Sequence, residues 1–572
     1  MHIELLRSLS GSSFHAFFDG DLAAANQARA IAWFKAQGIS AITIGWNVPL
    51  DQQTGAVVDF ATSSEFPDKR FAGSSLADVE AFAKLCSDSG LTVTLKPYFL
   101  NKDTAHNLSG FDSEWAAANE TAVKAGMGNY LGQLGAVAQR AHADSLIIGT
   151  ENSNLAQLQH KAWWEATIQA VRAQFAGLVG YAESTFPHAP SNPRDADNIS
   201  FASSLDYVGV DLYAPVTLSQ DPTFEEAVRG WTQNLKDYWI FKDNNAPASL
   251  DLTAFLRGLN TLYGKPVVLT ETGYPANNGA GINPTSLAGT VDVAEQDLLV
   301  RAELSVLGTL GDWFGGFMLF ADAGYQFGSA YDASGSALNF GGYGIVGRPV
   351  AASVAGFLAG YQHAMMGTTG NDRLLDVAGQ SNVINGGAGI DTVLLPGMRA
   401  QYTITTEGGR NVVTSGAADV NVLKGVERLA FADRSVALDV GPTGSAGQTQ
   451  LLLGAVLGRN VLATKELLIG SVIDLFDQGY TMAELAGALM RLDIWGLLAN
   501  GGNAGASNRQ IAHYLLTTVN GRAPDEGTLS SATTAIDTGP QGAFLAQLAM
   551  SAANQSQVGL AGLADTGLIY LV

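Results

Sequence analysis

Apolar residues gather in eight short runs over the first 360 positions. They are SFHAFF (13–18), ISAITIGWNV (39–48), LTVTLKPYF (91–99), SLIIGTEN (145–152), LVGYAES (178–184), LDYVGVDLYAP (205–215), PVVLTETGYP (266–275) and WFGGFMLFAD (313–322). Most are apolar on successive rather than alternate residues, the pattern of strands covered on both faces in a parallel sheet. Helical stretches lie between them. LADVEAFAKLCSDSG is expected to stop at Gly90 and KAWWEATIQAVRAQFAG at Gly177, since glycine commonly ends helices. Eight strand–helix alternations predict an α/β fold, a (β/α)8 TIM barrel over residues 1–362. An open doubly wound sheet with a dinucleotide site is the rival, but no GxGxxG follows the first strand.

Such a barrel carries its chemistry at the carboxyl ends of its strands. Those ends hold Asp19, Trp46, Asn47, Lys96, Tyr98, Glu151, Asn152, Glu183, Asp211, Tyr213, Glu271, Tyr274 and Asp322. Carboxylates can act as acid, base and nucleophile, and aromatic rings stack on sugar rings. The set therefore points to glycoside hydrolysis. Glu151 in IIGTEN and Glu271 in VLTETGYP share a context, each following an apolar strand and a threonine. One of the pair is expected to protonate the leaving oxygen, the other to attack the anomeric carbon or activate water. Trp46 is read as either a sugar platform or rim packing. Asp211 either binds a hydroxyl or orients Lys96. Glu183 is a minor rival to Glu151 as the acid. His15, His106 and His188 lack metal spacing and are read as ordinary polar residues.

Composition narrows the field. The 572 residues exceed one ordinary domain, and 47% hydrophobic content is ample for large cores. A net charge of −22 disfavours nucleic acid and anionic membrane surfaces as partners. No apolar run is long enough to span a membrane, and the first residues do not read as a secretory signal. The single cysteine, Cys86, excludes an intramolecular disulfide and sits in an apolar helical run, so it is read as inert.

The stretches GLTVTLKPYF, LIIGTEN, SLDYVGVDLYAPV and GKPVVLTETGYP occur in the order and spacing of a known family. Residues 14–325 resemble a clan A glycoside hydrolase, most closely family 113, the β-mannanase family. The resemblance implies that Glu151, after strand four, is the acid/base and that Glu271, after strand seven, is the nucleophile. It implies that Tyr213 hydrogen-bonds the nucleophile. From the strand-end reading, Trp46, Asn47, Lys96, Tyr98, Asn152, Asp211, Tyr274 and Asp322 are the expected substrate contacts. The clan retains anomeric configuration. The chain departs from the clan's pattern at Thr150, at Tyr98 after Pro97, and at Phe320 and Asp322 on strand eight, positions that line the subsite beside the scissile bond. The reaction implied is retaining endo-hydrolysis of a β-linked polysaccharide, a mannan or a bacterial exopolysaccharide. A transglycosylase, or an inactive carbohydrate-binding matrix protein on a retired barrel, is the alternative.

Residues 386–394, GGAGIDTVL, fit the nonapeptide G-G-x-G-x-D-x-U-x, and 367–375, GTTGNDRLL, fit it except at the second glycine. These resemble RTX-type repeats, which implies a Ca²⁺-binding β module over 363–442 with Asp372 and Asp391 as candidate ligands. Over 443–572 helical patterns recur: LLLGAVLGR is echoed by LLTTVNGR and MAELAGALM by GAFLAQLAM. This duplication resembles the domain of unknown function 4214 of bacterial surface and secreted proteins, which is read either as a surface- or matrix-association module or as a plain structural or export-supporting one. Together these features are expected to mark an extracellular or cell-surface protein exported by type I secretion.

Overall fold

The computed structural model describes residues 1–17, 21–51, 53–59, 74–100, 119–185, 195–233, 251–321, 342–416, 419–540 and 542–571. The chain forms two compact units. One holds 1–366 with 381–387 and 407–410, the other 367–380, 388–406 and 411–572.

Eight strands close a parallel barrel in chain order: β1 Gly11–Ala16, β2 Ala41–Pro49, β3 Thr92–Leu100, β4 Ser145–Thr150, β5 Leu178–Ser184, β6 Tyr207–Leu212, β7 Val267–Thr272 and β8 Phe314–Leu319. Every residue of these strands is buried, as their uninterrupted apolar runs require. The register shifts within β4–β5, β6–β7 and β7–β8 close to the carboxyl ends of β4 and β7. Such irregularities re-aim side chains at barrel rims.

The covering helices are built from ordinary signals. Helix Glu120–Arg140 buries Val123, Met127, Tyr130, Leu131, Leu134 and Ala138, a stripe at helical spacing, and Asn119 caps it by accepting from the Ala122 amide. Helix Leu76–Asp88 begins at the Ser75 cap, and the chain turns away through Gly90 at φ +84°. Cys86 is free and buried on this helix. Helix Lys161–Arg172 ends before the expected Gly177, and Phe175 between them is buried in the core.

The amino ends of the strands are closed by side chains from distant sequence. Helix Ile3–Arg7 buries Leu5 and Leu6. Gly408, at φ +53°, leaves room for Leu5 and Leu178, where a Cβ would lie 2.8 Å from each. Arg410 is buried beside it. Its Nε donates to Asp144 Oδ1 at 2.8 Å, Nη1 to Ser8 Oγ at 2.7 Å and Nη2 to Thr92 Oγ1 at 3.1 Å.

After the barrel come four short strands, β9 Ala364–Met366, β10 Arg373–Leu375, β11 Asn382–Asn385 and β12 Thr392–Leu394. In the first unit β9 pairs in parallel with β11. In the second, β10 pairs in parallel with β12, and β12 with a further strand at Arg428–Ala430. The remainder of the second unit is mostly helical, with a core around Leu452, Val456, Trp495, Leu515 and Leu545. Its last strand, Leu568–Tyr570, returns to pair antiparallel with Ser435–Ala437. Among the described residues no helix is long and apolar enough to cross a membrane.

Candidate active site

Strands β3, β6 and β7 bring one carboxylate and its partners together at the carboxyl end of the barrel. Glu271 receives Lys96 Nζ and the Tyr98 hydroxyl on Oε1, both at 2.6 Å, and the Tyr213 hydroxyl on Oε2 at 2.8 Å. Lys96 is fully buried and also donates to Asp211, at 3.2 and 3.3 Å, and to the Thr270 carbonyl at 3.3 Å. Asp211 in turn accepts the Thr270 hydroxyl at 2.6 Å. One ammonium thus serves two buried carboxylates and lies closer to Glu271.

That asymmetry sets the charges. Burial raises the Glu271 carboxyl, but the Lys96 charge and the donors Lys96 and Tyr98 outweigh it, so the group is held below its ordinary range. For Asp211 burial comes first and the Glu271 charge second, and the net direction is up despite Lys96. Burial pulls the Lys96 ammonium down, but Asp211 and Glu271 outweigh it and the net direction is up. Tyr98 and Tyr213 are raised well above the usual phenol range by burial and then by Glu271, so both remain donors. Glu271 is therefore the ionised carboxylate of the site. Its Oε1 is occupied by two donors and its Oε2 by one.

His15 stands behind Tyr98, with Nε2 3.1 Å from the tyrosine hydroxyl, and its ring packs between Phe17 and Phe320. Burial pushes it down to about 3, so the ring is neutral. Reading His15 as an ordinary polar residue missed its place in this chain of contacts. Its position at the end of the first strand was the available signal. Tyr343 and Phe320 pack edge-on around Tyr213 and complete the aromatic wall.

Glu151 follows β4 with φ +52°, a left-handed backbone that costs a non-glycine residue about 1–2 kcal/mol. Its amide donates to the Ala182 carbonyl at 3.0 Å, which holds the turn. Its side chain is half-buried, and its charge contributes, last and least, to the raised pKa of Tyr98, which puts it on the same side of the barrel as Glu271. Strain of this kind concentrates where a side chain must be aimed.

The other expected contacts divide. Asn47 points inward and donates to the Phe17 carbonyl at 3.2 Å. Trp46, one residue earlier, faces the helices instead: it is fully buried, with Nε1 donating to Tyr130 at 2.8 Å. It packs the core and is no sugar platform, because alternate residues of a strand point to opposite faces. Tyr274 is buried in the core with its hydroxyl on the Ala214 carbonyl, not presented to a ligand. Asn152 is buried against Gly149 near Tyr181 and Trp164, on the helix side, after the turn at Glu151. Glu183 is likewise buried, accepting from Tyr181 at 2.9 Å, which removes it as a rival acid. Lys96, Tyr98 and Asp211, expected at the substrate, are committed to Glu271 and to one another. Asp19, Asp322, His106 and His188 lie outside the described residues.

Several solved glycosidases are similar to the chain. The β-mannanase AaManA of Alicyclobacillus acidocaldarius, in complex with ManMIm, is 19% identical over 61% of this chain and 97% of its own, with a TM-score of 0.44. A β-1,4-mannanase of family 113 is 16% identical over 62% and 99%, with a TM-score of 0.43. A β-glucuronidase of Ruminococcus gnavus is 9% identical over 61% and 50%, with a TM-score of 0.36. No curated protein matches the chain significantly. The family model is more specific than these likenesses: it spans residues 17–337, more than half the chain, and takes in every strand end described above from Phe17 onward. By that match the chain belongs to glycoside hydrolase family 113 and is a glycoside hydrolase.

Proposed function

We propose that the protein is a retaining endo-β-glycosidase acting on a β-linked polysaccharide by double displacement. The observation that carries this reading is the state of Glu271: ionised, buried, and held by Lys96, Tyr98 and Tyr213. Oε2, with one donor, keeps a lone pair for attack on the anomeric carbon. As the C–O bond of the glycoside breaks, Glu151 gives its proton to the departing oxygen. A water then attacks the glycosyl–Glu271 ester, Glu151 takes the water's proton, and Glu271 leaves as the carboxylate. Lys96 and the two tyrosines receive the released charge in a site that needs no reorganisation.

β-Mannan, named for the similar solved enzymes, is the first substrate to test, and a bacterial exopolysaccharide the second. Proton NMR of the earliest product on a panel of β-glycans tests the mechanism. The β anomer is expected first, and first-formed α anomer refutes double displacement.

Calcium, export and surface association belong to the same proposal. The turn at Gly389 lies against Gly370, where a Cβ would meet the Gly370 carbonyl at 2.7 Å, so the two repeats stack. Asp391 Oδ1 accepts the Asp372 amide at 2.7 Å, while nothing among the described residues hydrogen-bonds its buried Oδ2. Among the described residues no group of three or more His, Cys, Asp or Glu is placed to hold a metal. Asp372 and Asp391 would therefore hold Ca²⁺ together with backbone carbonyls, hard oxygen ligands that suit it. Resemblance to RTX repeats and to the domain of unknown function 4214 supports type I export and a surface role for the helical part.

A further inference from the structure

Glu303 sits on helix Val293–Leu307 and is 1% exposed. Its Oε1 accepts the hydroxyl of Thr272, the last residue of β7 and the neighbour of Glu271. Nothing among the described residues hydrogen-bonds its Oε2. A buried carboxylate without a cation is costly, so a group left this way is stable only with its proton on.

Helix Val293–Leu307 packs against helices Pro349–Gln362 and Phe224–Thr232. The first carries no charge, and Arg348 at its head donates to Gln296, Gly342 and Gly344. The second carries Glu225, Glu226 and Arg229, of which Glu226 accepts from Thr217. On its own helix Glu295 accepts the Gly279 and Gly281 amides, and Asp297 pairs with Arg301. From β7 the charged neighbour is Glu271. None of these charges moves Glu303. Burial pushes its carboxyl up to about 8, with only the Thr272 hydroxyl pulling the other way.

We propose that Glu303 is a positioning residue: held as the neutral acid behind β7, it fixes Thr272 and thereby Glu271, and its ionisation sets the alkaline limit of activity. Thr272 is a junction in two directions. It is covalently joined to Glu271, and its carbonyl accepts the Phe320 amide at 2.8 Å, placing the ring that packs on His15 and Tyr213. The donors to Glu271 come from β3 and β6, so a displaced end of β7 misaligns all three. The proposal rests on Glu271 being the reacting carboxylate.

The test uses the full chain and its Glu303→Gln variant, a neutral isostere. The readout is kcat/KM on the dinitrophenyl β-glycoside that wild type cleaves best among manno, gluco and galacto forms. Such a leaving group needs no proton, so Glu151 does not shape the alkaline limb. Wild type should lose about tenfold between pH 7 and 9, and Glu303→Gln less than about twofold. Thr272→Val should also flatten the alkaline limb, because no hydroxyl then links Glu303 to β7, while Thr272→Ser should restore the wild-type limit. Melting curves supply a readout independent of turnover. A carboxyl whose folded pKa lies above its unfolded value stabilises fully below the unfolded value and loses that contribution as pH rises through the folded one. The Tm of wild type should therefore fall relative to Glu303→Gln from about pH 5 to 9. Parallel melting curves overturn the neutral acid. Divergent melting curves with coincident alkaline limits overturn the positioning role. A wild type that cleaves neither these glycosides nor any β-glycan of the panel overturns the proposed endo-β-glycosidase reading itself, and this role with it, whatever the melting curves show.

Discussion

Replacing Arg410 by methionine removes the cation from the floor of the barrel while keeping an unbranched apolar side chain. Asp144, 6% exposed, then loses the guanidinium and keeps the Val93 amide, at 2.8 Å. Ser8 and Thr92 each lose a guanidinium donor. Breaking a buried pair by deleting one partner costs about 3–5 kcal/mol, because the remaining buried charge loses its counter-ion. At about 2 cal/mol/K per residue of unfolding entropy, a unit of this size should melt about 4–6 °C lower. Calorimetry of the full chain gives that shift. The loss should persist at 0.5 M salt, since a buried pair is screened little. Turnover at 25 °C should hold, because the floor lies at the opposite end of the strands from Glu271. Asp144→Asn in the same background should cost less than it does alone, exposing the coupling. A shift below about 1 °C for Arg410→Met would refute the claim that residues 407–410 are part of the barrel's own structure.

Three further outcomes are expected. Lys96→Met removes the chief influence holding Glu271 below its ordinary range, so the acid limb of kcat/KM should move to higher pH and kcat should fall by about a hundredfold or more; an unmoved acid limb counts against Lys96 as the controlling charge. Glu151→Gln should cripple polysaccharide hydrolysis yet spare glycosylation from dinitrophenyl glycosides, with azide rescuing turnover through a β-glycosyl azide; equal loss on both substrate classes removes Glu151 as the acid. Calcium should raise the melting temperature of the unit containing 367–380 and 388–406, and EGTA should reverse this while hydrolysis persists; no heat of Ca²⁺ binding by titration, or hydrolysis that stops with EGTA, defeats that placement of the metal.

The strands and the two glutamates were legible in the sequence for a local reason. A strand buried on both faces must be apolar almost throughout, so a Glu or Lys at its carboxyl end stands out against the run, as Glu271 does after VVLT and Lys96 after LTVTL. The length and regularity of the alternation then leave few architectures besides a closed barrel. The strand-end pattern picked out Tyr213, its role beside the nucleophile followed from family resemblance, and the structure seats it on Glu271 Oε2.

Facing and partnership belonged to the tertiary structure. Trp46 and Asn47 are adjacent in an equally apolar strand, and only closure of the sheet decides which points to the helices. Register irregularities near the ends of β4 and β7, together with the left-handed backbone at Glu151, decide that Glu151 stays half-buried while Asn152 is buried beside Gly149. Neither leaves a mark in a linear pattern. Glu303 reads in sequence as one more helical glutamate, and its lost solvation appears only once the helix lies on β7. Arg410 meets Asp144 across 266 positions of chain. Hydrophobic periodicity is set by each segment's own neighbours and is therefore written locally. Desolvation, charge pairing and strand facing depend on which distant segments meet, and that is settled only when the barrel closes.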